Sequence, residues 1–167
     1  MRIDKPNRVT RTYTQRLVAA PSTVFPLLCP VREAEWIDGW DPDVVWSESG
    51  VAEPDCIFLT GAGADDAIWY ITRHEPGDGF VEMIKITPSV TACRLSIRLR
   101  ARDSGVEATI TYAHTSLGPA ADTFVAAFTE EHYQQFMRDW ETRINYYLAH
   151  GSLLRQDSSA ELPRESP

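Results

Sequence analysis

Tyr112 and His114 stand two residues apart in the segment Val106 to Thr115, which alternates apolar and polar side chains. Such spacing on a strand places both on one face, shared with Ala108 and Ile110. A phenol and an imidazole among apolar neighbours are either polar anchors for a bound molecule or groups satisfied by backbone or helix partners, since an unpaired buried polar group costs about 1 to 3 kcal/mol. They are the first candidates for ligand contact. Glu82 shares a strand face with Ile84 and Ile86. Facing inward, it would have a raised pKa and serve as an acid or base; a one-residue slip of register turns it to solvent, and the solvated reading is favoured. The segment Glu33-Ala34-Glu35-Trp36-Ile37-Asp38-Gly39-Trp40-Asp41 sets four carboxylates beside two indoles. Paired carboxylates serve acid–base catalysis, but the plainer reading is a helix end with aromatic packing and solvated charges; a place at a pocket entrance lies between.

Other chemistries find less support. Cys29, Cys56 and Cys93 are widely spaced, each beside apolar residues and without a C-x-x-C pair, so they read as buried small hydrophobes in a reducing compartment. His74, His114, His132 and His150 match no metal spacing, and no metal site is expected. No G-x-G-x-x-G, phosphate-binding P-loop or G-x-S-x-G occurs, and no cofactor is implied. Sixteen basic against twenty-four acidic residues give a net charge of −8, which argues against nucleic acid. Arg94, Arg98 and Arg100 accordingly read as a solvated strand face. Without an apolar run of bilayer length or a signal peptide, the expectation is a soluble cytoplasmic protein with no membrane insertion.

The elements that must position these residues can be placed from the pattern. At 167 residues one domain is expected, with an arm at 1–8, the domain at 9–151, and a disordered tail at 152–167, polar from Gln156 onward. Val9 to Val18 reads as a strand. Ser22 can cap a short helix carrying Val24, Phe25, Leu27 and Leu28, which Pro30 ends. A second helical turn, Arg32 to Ile37, closes at Gly39 and puts Trp36 and Trp40 on one face. Six strands follow: Val44 to Ser47, Cys56 to Thr60, Ala67 to Arg73, Phe80 to Thr87, Thr91 to Arg102 and Val106 to Thr115. Their short connections make an antiparallel meander. Cys93, Leu95, Ile97 and Leu99 alternate with Arg94, Ser96, Arg98 and Arg100, so one face is dry. After a helical piece at Ala120 to Phe128, Thr129 caps a long helix running to Ala149 and stopped by Gly151. Its apolar stripe is Tyr133, Phe136, Met137, Trp140, Ile144, Tyr147 and Leu148.

A strand, two short helices, six antiparallel strands and one long helix leave few compact solutions: the fold class is α+β, a curved seven-stranded sheet wrapped around the C-terminal helix. In this order the chain resembles the START and Bet v1-like superfamily, SRPBCC, of helix-grip architecture. The residues that carry the resemblance are Ala19-Ala20-Pro21-Ser22-Thr23-Val24-Phe25, Trp36, and Trp140 with Leu148. It is most similar to the bacterial polyketide cyclase/dehydrase-like branch. The resemblance implies a cavity between sheet and helix used for lipids, hormones, polyketides or other apolar molecules. Its expected lining is Trp69, Ile84, Ile97, Tyr112, His114, Tyr133, Phe136 and Trp140. The expected function is binding of a small hydrophobic or aromatic molecule, lipid or polyketide-like, with Tyr112 and His114 as polar anchors. The alternative is a cofactor-free cyclase or dehydratase using the same cavity, with His114, Tyr112 or an inward Glu moving protons. A third class, similar to the Hsp90-activator relatives, would use its outer surface and have the cavity packed shut.

Overall fold

A computed structural model of the chain describes residues 7–61 and 67–155. The expected arm at 1–8 and tail at 152–167 fall mostly outside these residues. The seven strands are β1 (Arg8–Leu17), β2 (Asp43–Trp46), β3 (Ile57–Thr60), β4 (Ala67–Glu75), β5 (Phe80–Thr87), β6 (Thr91–Arg102) and β7 (Gly105–Ser116). They form one antiparallel sheet in the order β1-β7-β6-β5-β4-β3-β2, so the meander runs from β2 to β7 and the first strand returns to the outside of the last. The period-two pattern places Cys93, Leu95, Ile97 and Leu99 in the core and leaves Arg94, Arg98 and Arg100 exposed. On the outer face the guanidinium groups of Arg73 and Arg98 lie 4.5 and 4.3 Å from the ring centre of Phe80, so these arginines cover an aromatic side chain as well as meeting solvent.

The long helix α4 (Glu130–His150) begins where the Thr129 hydroxyl accepts from the His132 backbone N–H, and ends at Gly151 in the left-handed conformation, φ 65°. Tyr133, Met137 and Ile144 are buried beneath it, with Phe136, Trp140, Tyr147 and Leu148 half-buried against the same core. α4 is tied to one side of the sheet. The buried Gln15 side chain donates to the Met137 carbonyl at 2.9 Å, and the Tyr133 hydroxyl donates to the Ile110 carbonyl at 2.7 Å. Along the free edge of β1, Glu141 accepts from the Arg16 N–H at 2.8 Å. Asn145 accepts from the Val18 N–H at 3.0 Å and donates to the Arg16 carbonyl at 2.9 Å. These side chains supply the partners that a neighbouring strand would otherwise give.

The early insert departs from expectation. α1 (Pro21–Val24) is capped by Ala20 with Pro21 at its first position, and Ser22 makes no cap. A 3-10 turn, Phe25–Leu28, carries the chain on, and Pro30 ends that turn only to start α2 (Pro30–Glu33). Proline forces Cys29 into an extended conformation and, lacking an N–H, fits the first turn of the next helix. α2 therefore stops at Glu33, and 34–37 form turns where a helix was expected. Trp36 is fully buried with its indole N–H donating to the Leu27 carbonyl at 2.9 Å, and half-buried Trp40 donates to the Pro30 carbonyl at 2.7 Å. Trp36 meets Trp140 edge-on at 5.3 Å between ring centres. A helix shorter than two turns has little stability of its own, so these indoles hold α2 against the core.

Trp36→Ala should therefore cost about 3 to 5 kcal/mol of unfolding free energy in urea, the range for a packed core aromatic, and Trp140→Ala clearly less. An equal or larger loss at Trp140 would show that its side chain is filled core rather than a cavity wall.

Candidate functional site

The sheet curves and α4 is straight and tied to β1 and β7, so the two surfaces part over the middle strands. The gap is a cavity of about 290 Å³ bounded by α4, α2, the turn after it, and strands β3 to β7. That is close to the lower end of the roughly 300 to 1,000 Å³ typical of small-molecule pockets. Phe58 and Trp69, stacked 5.4 Å apart, form its sheet wall together with Met83, Leu95 and Tyr112. Phe136 and Trp140 form the helix wall, and Leu28, Pro30, Ile37 and Trp40 close the end made by the insert. The Trp69 indole N–H is fixed by the Thr60 hydroxyl at 2.9 Å, which sets the ring plane of that wall.

Among the described lining residues one carboxyl is buried. Glu33, the last residue of α2, is 7 % exposed, and among the described residues its carboxyl has no hydrogen bond or ion pair. Burial alone raises its pKa from 4.5 to about 8, so at neutral pH it holds its proton. Its neighbours in sequence differ. Glu35 is bound by Arg32 at 2.7 Å and accepts from the Tyr147 hydroxyl. The Arg32 hydrogen bond, then that from Tyr147, keeps its carboxyl below the usual range. Asp38 is an exposed rim residue of the cavity. The solvated-charge reading of this segment is thus corrected at Glu33: because α2 ends there, its side chain points inward while Glu35 and Asp38 stay near water.

Of the residues expected to line the cavity, Trp69, Tyr112, Phe136 and Trp140 do so. Ile84 is a correction: it pairs with Tyr70 and Arg94, both exposed, and belongs to the outer face with Glu82. Glu82 itself is half-buried there and accepts from the Thr72 hydroxyl at 3.0 Å. The inward residues of β5 are Val81, Met83 and Lys85, the last with its ammonium 5.1 Å from the Trp69 ring centre. Ile97 and Tyr133 face inward but are packed core, away from the cavity wall. His114 also points inward, yet it sits beyond the cavity in an aromatic cluster, 4.5 Å from Phe128, 5.4 Å from Phe124 and 5.9 Å from Tyr112 between ring centres. Among the described residues neither ring nitrogen has a hydrogen-bond partner; burial, with a smaller contribution from Lys85, lowers its pKa from 6.5 to about 4. It is a neutral core residue, not a wall of this pocket. Cys29, Cys56 and Cys93 are buried, and among the described residues none forms a disulfide. Among the described residues no three potential metal ligands cluster, and no helix is long and apolar enough to cross a membrane.

No family model and no curated protein matches the sequence. Solved structures do. The allergen Ara h 8.0201 aligns with a TM-score of 0.62 at 14% identity, over 86% of this chain and 99% of its own. Norcoclaurine synthase from Thalictrum flavum, in complex with dopamine and hydroxybenzaldehyde, aligns at 0.61 and 9% identity, over 87% and 89%. DynU16, from the dynemicin biosynthetic locus, aligns at 0.57 and 16% identity; this chain covers 86% of itself but 48% of that protein, about half its length. The chain has the Bet v1-like helix-grip fold, as the order of its elements implied.

Two titrations follow from the site. Folded Glu33 keeps a proton that unfolded Glu33 has released between pH 4.5 and 8, so its contribution to stability is present below pH 4.5 and lost as pH rises to 8. Glu33→Gln lacks that loss: its melting temperature should gain on the native protein steadily from pH 5 to 8. The full gain is several kcal/mol, at about 1.4 kcal/mol per pKa unit. A pH-independent difference would place the carboxyl in water. His114 has the opposite sign: unfolded His114 takes up a proton below pH 6.5 that the folded ring refuses until about pH 4, so stability falls with acid across that window. His114→Leu should flatten acid unfolding there and cost little at pH 7, since it also removes an unpaired ring N–H. An unchanged acid limb would assign the sensitivity to other groups.

Proposed function

We propose that this protein reversibly binds one compact aromatic or apolar molecule in the cavity between the sheet and α4. The observation that carries the reading is the lining: Trp40, Phe58, Trp69, Tyr112, Phe136 and Trp140 surround a space of about 290 Å³ in which, among the described residues, Glu33 is the one buried carboxyl. Aromatic walls supply dispersion and desolvation over most of a ligand's surface, and a single polar group fixes its orientation. The volume suits a small ring system of polyketide-like or other aromatic type better than a long acyl chain. Of the two expected anchors Tyr112 remains on the wall, and Glu33 replaces His114 as the second. Norcoclaurine synthase, which shares the fold, is described in complex with two aromatic compounds, which agrees with an aromatic occupant.

Glu33 also supports a second reading, a cofactor-free enzyme of the cyclase or dehydratase type. A carboxyl with a pKa of about 8 holds a proton at neutral pH and can give it up or recover it near that pH, which is what general acid–base catalysis requires. In that case Glu33→Gln would abolish turnover of a bound substrate while leaving its affinity largely intact.

Titration of 2-naphthol followed by tryptophan fluorescence and by melting temperature tests the binding reading. One molecule should bind per chain and raise the melting temperature by mass action. Leu95→Phe, which adds volume to the sheet wall, should weaken binding about tenfold or more without lowering the melting temperature of the free protein. No binding by the native protein, or unchanged binding by Leu95→Phe, would contradict it.

A further inference from the structure

The charge of the occupant is written in the cavity wall. Among the described residues lining it, the ionisable ones are Glu33, Asp38 and the phenol of Tyr112; there is no lysine, arginine or histidine. The other lining residues are apolar, and five of them are aromatic: Trp40, Phe58, Trp69, Phe136 and Trp140. Aromatic faces attract cations, most strongly where water is excluded, and a buried carboxylate is stable as an anion only beside a positive charge. On the reading that this cavity holds a compact aromatic molecule, we propose that the ligand carries a basic nitrogen and binds as an ammonium, with Glu33 as its counter-ion inside the aromatic lining.

The proton balance is explicit. Free Glu33 is predominantly protonated at pH 7; when the ammonium enters, the carboxyl releases its proton to solvent, and the carboxylate and ammonium form the ion pair. Among the described residues two cations stand beside the site, Arg32 on α2 and Lys85 on β5. Arg32, adjacent on α2, is held by Glu35 through two hydrogen bonds of 2.7 and 3.0 Å, and Glu35 is bound in turn by Tyr147 from α4. Lys85 approaches from β5 against the Trp69 ring, and desolvation alone accounts for the state of Glu33, with no contribution from that ammonium. Asp38 at the exposed rim adds an attraction weakened by solvent, and the chain's net charge of −8 favours the approach of a cation.

Isothermal titration of 2-naphthylmethylamine and its neutral isostere 2-naphthylmethanol at pH 7, in two buffers of different ionisation heat, tests the proposal. The amine should bind at least about tenfold tighter than the alcohol and release close to one proton per molecule bound. Glu33→Gln should remove both the preference and the proton release. Equal or tighter binding of the alcohol by the native protein, or amine binding without proton release, would overturn the ammonium site and leave the aromatic cavity standing. Failure of both probes to bind would overturn the cavity reading and this inference with it. Those comparisons use the native protein, so they stand even if the variant does not fold.

Discussion

The attachment of α4 to the β1 and β7 side of the sheet determines the rest of the molecule. Gln15 and Tyr133 fix the helix over the sheet's interior, and Glu141 and Asn145 occupy the hydrogen-bonding edge that β1 would otherwise present to water. A buried carbonyl or amide left unpaired is expensive, so the helix cannot slide toward the middle of the sheet without breaking several of these bonds together. A curved sheet then has to stand away from a straight helix over β3 to β6. The cavity is the geometrical remainder of that constraint.

What fills one end of the remainder is set by a short insert with almost no intrinsic helical stability. The indoles of Trp36 and Trp40 bind backbone carbonyls of Leu27 and Pro30, and Trp36 packs on Trp140 of the long helix. Glu35, bound to Arg32 and Tyr147, joins the same insert to α4 near its C-terminal end. With α2 held so, the Glu33 carboxyl is buried in the lining with no hydrogen bond or ion pair among the described residues, and it accepts protonation as the cheaper state. A buried acid without a partner is a cost to folding, which is the physical reason to associate it with a ligand rather than with stability.

Much of the fold was legible because strand and helix periods are local. The alternation in Thr91 to Arg102, the punctuation between strands, and the Thr129 cap with its Gly151 stop all survive in the structure at or near the expected residues. The site was legible only in part. Trp69, Tyr112, Phe136 and Trp140 follow from a dry face or a helical stripe, and they line the cavity. Ile84 was misplaced because β5 carries isoleucines on its outer face and a lysine on its inner face, a reversal of the usual pattern that only the pairing with β4 and β6 resolves. His114 had the right face, but the sequence gives no account of Phe124 and Phe128 closing over it. Glu33 was hidden among four carboxylates. What separates it in the structure is its place as the last residue of α2, the one-turn helix that Pro30 begins.

The central claim is that a carboxyl inside an aromatic cavity is neutral at physiological pH. Carbon-13 NMR of protein labelled at the glutamate carboxyl, with the Glu33 resonance assigned by its loss in Glu33→Gln and followed from pH 4 to 10, measures this directly. The structure predicts a titration midpoint close to 8, set apart from the exposed glutamates. A midpoint near 4.5 would mean that water or a cation reaches Glu33, and the account of the cavity as a dry site with a single proton-bearing acid would be wrong.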